Sequence, residues 1–217
     1  MIRGAIFDLD GTLLNSNEYW DKAPAVYLAA LGKRAGPELA ELIFSMTLPE
    51  AADYLTAQYG LEQTPRQIME GVNAAMEGFY RRDVTLKSGV PALLRELNGR
   101  GIPCAVASVT DRHLVEAALR RFGLFDRFAC IVTTAEAGAG KREPAVYLRA
   151  AGALGSVPGE TLVFEDALHA LRTAKLSGFR TVGVYDAHSA EVQEEICAVS
   201  DIYLRNFSDL TGILNIL

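Results

Sequence analysis

Apolar residues along this chain fall into two rhythms. Short, nearly continuous apolar runs occupy 2–9, 103–108, 130–133, 161–165 and 181–185. Strands buried on both faces read in this way, because neither face meets water. Between and after them, 90–100, 111–122, 144–154 and 168–177 repeat apolar positions at helical spacing. Strand and helix in alternation predict an α/β fold, a doubly wound parallel sheet with helices on both faces.

The stretch 15–83 breaks that rhythm. It offers no convincing strand but four amphipathic helical patterns, at 16–31, 37–44, 49–58 and 65–82. Thr64-Pro65-Arg66-Gln67 supplies an N-cap threonine, a proline at the first helical position and a glutamine to close a capping box. Thr47-Leu48-Pro49-Glu50 repeats that box less cleanly. The pattern therefore predicts a core domain from 1–14 and 86–217, with an inserted helical domain at 15–85.

Composition narrows the field. A chain of 217 residues, half of them apolar and 22% charged, buries about 70% of its unfolded surface and needs no staple to hold its core. With 21 basic and 27 acidic residues the net charge is −6, which argues against nucleic-acid and anionic-membrane partners. The basic pairs Arg81-Arg82 and Arg120-Arg121 read as solvated helix faces. No apolar run is long enough to span a bilayer, and Asp8 and Asp10 come too early for a signal-peptide core. Cys104, Cys130 and Cys197 form no CxxC and no metal spacing; Cys104 and Cys130 lie in apolar runs, as buried free thiols do. A cytoplasmic setting is the expectation. Oligomeric state is not legible.

Chemistry concentrates at strand ends. Asp8 and Asp10 close the first apolar run, two positions apart and so on one side of an extended chain. Such a pair repels unless a cation lies between, although a surface turn also tolerates it. Ser108, Thr110 and Asp111 follow the second strand, as an ordinary cap or as an anion site at a helix N-terminus. Lys141 lies in the loop Gly138-Ala139-Gly140-Lys141, and taken alone would be merely solvated. Glu165-Asp166 ends the fourth strand, where adjacent acids are costly unless a metal or water meets them. In open parallel sheets, ligands bind beyond the carboxyl ends of the strands. Carboxylates, hydroxyl and ammonium gathered there are what metal-assisted phosphoryl transfer needs.

Asp8-Leu9-Asp10-Gly11-Thr12-Leu13-Leu14 resembles the first signature of the haloacid dehalogenase-like hydrolase superfamily. Ser108, Lys141 and Glu165-Asp166 follow in that family's order. The resemblance covers nearly the whole chain and implies a Rossmann-like core, with residues 15–85 as an α-helical cap. It further implies Asp8 as nucleophile, forming an aspartyl-phosphate, and Asp10 as general acid and then base. Mg²⁺ would be held by Asp8, the Asp10 carbonyl and Asp166, with Glu165 contributing directly or through water. Ser108, the Val109 amide and Lys141 would bind phosphate, and Lys141 would also steady the nucleophile. The acid at Asp10 favours phosphoryl transfer over dehalogenation. The implied function is a Mg²⁺-dependent phosphatase acting on a small phosphorylated metabolite, with Trp20, Ser45, Met46 and Thr47 as cap residues that select it.

Three positions depart from the family pattern: Asn15 where an acid is common, Ala145 where an aspartate often follows Pro144, and Val109 after the hydroxyl. Losing the aspartate is expected to soften the positioning of Lys141. The Gly138–Lys141 loop is no Walker A element, since Ala135 and Arg142 stand where glycine and Ser/Thr are required, and no G-x-G-x-x-G opens a helix. His113, His169 and His188 share no metal spacing. A β-phosphoglucomutase-like phosphomutase is the alternative. Such mutases hold a cap histidine and a cap arginine; this chain has no histidine before His113, and Leu48 falls at the arginine's place in a rough alignment. A non-catalytic phosphometabolite sensor is a further alternative, disfavoured by intact Asp8 and Asp10.

Overall fold

The structure, a computed structural model, describes residues 1–43, 46 and 48–217, and of Leu48 the backbone alone. The chain divides into two compact units, Met1–Asn15 with Thr85–Leu217, and Ser16–Val84.

The first unit is built on a six-stranded sheet in which every pairing is parallel. Its strands are β1 (Gly4–Phe7), β4 (Cys104–Ser108), β5 (Cys130–Thr133), β6 (Thr161–Glu165), β7 (Arg180–Val184) and β8 (Ile202–Leu204), in the order β5-β4-β1-β6-β7-β8. The helices of this unit are α5 (Val90–Gly99), α6 (Arg112–Arg121), α7 (Thr134–Ala137), α8 (Ala145–Leu154), α9 (Leu168–Leu176), α10 (Gln193–Val199) and α11 (Thr211–Leu214). This is the Rossmann-like α/β architecture expected. Strand alternation divides the core into two layers. Ile6, Ala105, Ala107 and Val163 join Val146, Tyr147, Ala150, Ala170 and Ala174 of α8 and α9 in one buried cluster. On the other face Phe7 stacks on Phe164 at 4.2 Å between ring centres, and Phe128 and Phe207 extend the aromatic layer.

Register is what builds the site. Phe7 lies beside Val106 on one flank and Phe164 on the other, so the residues that follow emerge together at one edge. The chain runs outward from β1 to β4 and β5, then returns to β6 and leaves the other way. The crevice at such a reversal is where open α/β sheets bind ligands, and here it lies between the ends of β1 and β6.

The second unit is helical: α1 (Asn17–Ala30), α2 (Leu39–Ile43), α3 (Leu48–Tyr59) and α4 (Pro65–Arg82). Helix α4 begins with the expected capping box, Thr64 accepting from the Gln67 amide while the Gln67 side chain accepts from the Thr64 amide. Helices α1 and α3 both pack on α4. The approach of α1 requires Gly71, where a Cβ would stand 2.1 Å from the Tyr27 ring.

The pattern overlooked several elements. β8 is three residues long, with two of them half-buried, too short to show a period. Two-residue strands β2 (Leu14–Asn15) and β3 (Thr85–Leu86) pair antiparallel at the junction of the units. That ribbon carries Asn15 and Thr85 into the first unit, one residue beyond the boundaries expected at 14/15 and 85/86. Strand β1 is confined to Gly4–Phe7, shorter than the apolar run at 2–9, because Asp8 and Leu9 already belong to the turn. The short helices α7, α10 and α11 were not anticipated. Cys104 is buried as expected, but Cys130, first residue of edge strand β5, is only half-buried. Among the described residues no helix is long and apolar enough to cross a membrane.

Candidate active site

Asp8 follows β1 directly and donates its amide to the Phe164 carbonyl at 3.0 Å, which ties the start of the turn to β6. Gly11 turns the chain at φ 78°, a left-handed conformation that a side chain resists, and the Leu13 and Leu14 amides then donate back to Leu9. The turn keeps Asp8, Asp10 and Thr12 all buried. Glu165 ends β6 and Asp166 follows it, both buried.

Lys141 reaches this group from the loop after α7, where Gly138 ends the helix at φ 76°. Its side chain is only 4% exposed, and its ammonium bridges Asp8 Oδ1 and Glu165 Oε1, the latter at 2.6 Å. Tyr147 of α8 donates its hydroxyl to the same Glu165 oxygen at 2.7 Å. Thr12 donates to Asp166 Oδ1 at 3.1 Å, and Thr110 donates to Asp10 Oδ2 at 2.6 Å. At the end of β4 the Ser108 hydroxyl accepts the Thr110 amide at 3.0 Å, so what it offers a ligand is its hydrogen. The neighbouring Val109 side chain is 60% exposed.

Charge in this cluster is unbalanced. Asp8, Asp10, Glu165 and Asp166 are buried around one buried ammonium. Burial pushes the Asp8 carboxyl well above the usual carboxylate range; Lys141 opposes this, and Glu165, Asp166 and Asp10 reinforce it. Burial alone would lower Lys141, but Asp8 and Glu165 hold it above the usual lysine range, so it stays an ammonium. Burial likewise raises the Tyr147 phenol, helped by Glu165, and keeps it a donor.

The residues fit a hard dication. One oxygen each from Asp8, Glu165 and Asp166 lie within 4.8 Å of one another, and oxygen donors are what Mg²⁺ and Ca²⁺ select. Glu165 Oε2 is buried with no hydrogen-bond partner among the described residues, an arrangement that costs free energy until something positive meets it. The Asp10 carboxylate stands outside this trio, with Thr110.

The expected core residues Asp8, Asp10, Ser108, Val109, Lys141, Glu165 and Asp166 thus stand at the sheet edge where β1, β4 and β6 end, joined by the lysine loop. Trp20 and Met46 belong to the second unit and are half-buried; Ser45, Thr47, the Thr47 capping box and the Leu48 side chain lie outside the described residues. Asn15 does not serve the acid cluster: its amide donates to the Thr85 hydroxyl at 3.0 Å and to the Leu86 carbonyl, which a carboxylate could not do. Without an acid at Ala145, two carboxylates hold Lys141 directly. The roles of Thr12, Thr110 and Tyr147 as partners of the acids were missed. The one available signal was a hydroxyl at an otherwise apolar or turn position.

Comparison with known proteins identifies the family. Residues 5–184 match the family model described as haloacid dehalogenase-like hydrolase. Validoxylamine A 7'-phosphate phosphatase of Streptomyces hygroscopicus subsp. limoneus is 27% identical, over 97% of this chain and 96% of its own. Hexitol phosphatase B of Escherichia coli strain K12 is also 27% identical, over 97% and 95%. The crystal structure of CbbY from Rhodobacter sphaeroides in complex with phosphate superimposes with a TM-score of 0.84 at 26% identity, covering 97% of both chains. Fold and site define an α/β hydrolytic enzyme with an acid-rich centre. The chain belongs to the haloacid dehalogenase-like hydrolase family, within its phosphatase subgroup.

Proposed function

We propose that this protein hydrolyses a small phosphate monoester through an aspartyl-phosphate on Asp8, with Mg²⁺ held by Asp8, Glu165, Asp166 and the Asp10 carbonyl. The observation that carries this reading is the buried Asp8 carboxylate, paired with Lys141 and within 4.8 Å of oxygens of Glu165 and Asp166. Mg²⁺, when bound, supplies charge that screens the phosphate from these carboxylates and polarises its oxygens.

Each step then belongs to a residue of the chain. Lys141 favours the carboxylate form of Asp8, whose oxygen attacks phosphorus as the bond to the leaving oxygen breaks. Asp10 gives its proton to that oxygen, and the alcohol departs. The Asp10 carboxylate next takes a proton from water; the resulting hydroxide attacks phosphorus and breaks the bond to Asp8, releasing inorganic phosphate. Thr110 fixes Asp10 for both transfers through its 2.6 Å hydrogen bond. The Ser108 hydroxyl and the Val109 amide would bind phosphate oxygens, and Lys141 would meet the charge that develops in the transition state. The helical unit, through Trp20, Ser45, Met46 and Thr47, would select the leaving group.

The test is release of inorganic phosphate from a panel of phosphorylated sugars, polyols and small acids with Mg²⁺ present. Turnover is expected to vanish on adding EDTA and in Asp8→Asn. Isomerised sugar phosphate accumulating without free phosphate would overturn hydrolysis in favour of a mutase.

A further inference from the structure

Tyr147 is the one member of the buried α8–α9 cluster that carries a hydroxyl; Ile6, Val132, Val146, Ala150, Val163 and Phe179 around it are purely apolar. Its ring is completely buried and meets Phe179 edge-on at 6.1 Å. Packing asks only for an aromatic ring here, and phenylalanine would supply it. Burying a phenolic oxygen in such surroundings is unfavourable unless it finds a partner. That partner is Glu165 Oε1, at 2.7 Å.

The same oxygen also accepts from Lys141 at 2.6 Å. A carboxylate oxygen has two acceptor directions in its plane, so Oε1 is fully engaged. Glu165 Oε2, by contrast, is buried with no hydrogen-bond partner among the described residues. Two donors on one oxygen fix the carboxylate's rotation, and with it the place of the other oxygen.

We infer that Tyr147 is a positioning residue: with Lys141 it saturates Glu165 Oε1 and so presents Oε2 to the cation held with Asp8 and Asp166. The inference rests on the metal-assisted reading above. Lys141 alone would hold Oε1 through a point charge on a flexible stem, which fixes distance better than rotation. The rigid Tyr147 ring supplies the second constraint, and the segment 141–147 delivers both donors from one loop and helix. Partners of metal ligands that act in this way typically contribute 10–100-fold in metal affinity or activity.

The experiment is calorimetric titration of the metal-free protein with Mg²⁺ alone, on the wild type, Tyr147→Phe and Tyr147→Met. Both variants lack the hydroxyl, but only the second also loses the ring, so Tyr147→Met should lose more thermal stability. Roughly 10-fold weaker Mg²⁺ binding is expected in each, by a similar factor despite their different stabilities. In turnover assays kcat of Tyr147→Phe should recover towards wild type as Mg²⁺ is raised, with KM for the phosphoester little changed. A merely structural tyrosine would give a loss that extra Mg²⁺ cannot restore. Mg²⁺ binding by Tyr147→Phe equal to wild type would overturn the inference while leaving the proposed function standing. No Mg²⁺ binding by the wild type would overturn the metal reading itself, and this inference with it.

Discussion

Lys87 and Asp186 form an ion pair at 2.8 Å with side chains only 9% and 10% exposed. The ammonium also donates to the Tyr185 carbonyl at 2.7 Å, and Asp186 Oδ1 accepts the His188 amide at 3.0 Å. The pair fastens the segment after β3 to the end of β7, while the Lys87 amide holds the Leu13 carbonyl at 2.9 Å. Lys87→Met removes the cation and leaves a buried carboxylate facing a methyl group. Breaking one side of such a pair costs about 3–5 kcal/mol. For a chain of this size each kcal/mol moves Tm by about 2–4 °C, so the variant should melt roughly 6–20 °C lower. Lys87→Met combined with Asp186→Asn removes both charges and keeps an acceptor for His188. It should lie within about 1–2 kcal/mol of wild type, the remaining cost being the unmet Tyr185 carbonyl. Urea and thermal unfolding of the four proteins of this cycle give the coupling directly. A single variant that melts within about 2 °C of wild type, or a double variant as unstable as the two singles summed, would refute the reasoning.

Two further perturbations test other parts of the molecule. Glu136 accepts both Arg112 Nε at 2.5 Å and the Thr133 amide at 3.0 Å, and Arg112 above all pulls its carboxyl down to about 2. A carboxyl lowered in the fold stabilises above its unfolded value and loses that contribution as pH falls through the folded one. The site is partly exposed, so Glu136→Gln should cost about 1 kcal/mol at neutral pH. In urea titrations the difference from wild type should shrink steadily below about pH 4; a difference constant down to pH 3 would contradict it. Burial pushes the Cys104 thiol up to about 12, whereas Cys197 is exposed. Iodoacetamide at pH 8 should therefore label Cys197 in the native protein and reach Cys104 only after unfolding, with labelled peptides read by mass spectrometry. Equal labelling of the two would contradict the buried placement.

How much of this was legible in the chain depends on the range of the interaction concerned. Strands β4, β5, β6 and β7 are buried on both faces, so the signal is local and their ends fall within a residue or so of the apolar runs. The ends of β4 and β6 fix where Ser108 and Glu165 emerge, and β1 stops at Phe7, just before Asp8, which is why the acid centre could be anticipated. β8 and the β2–β3 ribbon hold too few residues for any periodicity to register. Hydroxyl partners were invisible for another reason. Thr12 meets Asp166 from 154 residues away, and Thr110 meets Asp10 from 100. No local pattern encodes such a meeting.

Lys141 shows what the missing range conceals. Just after Gly138 and Gly140 and before Arg142 and Glu143 it reads as a solvated loop lysine, yet it is as buried as the core. What draws it in is charge supplied by Asp8, 133 residues earlier, and by Glu165, 24 residues later. Glu165 poses the converse problem, since an acid closing a fully buried strand looks prohibitively costly by itself. The two anomalies resolve each other only in three dimensions: the ammonium makes the carboxylate tolerable, and the carboxylate makes burial of the ammonium tolerable. One cation cannot settle four acids, however. On the reading proposed above, a dication would supply the positive charge that Lys141 alone does not, and would also offset the repulsion between these acids and a phosphate.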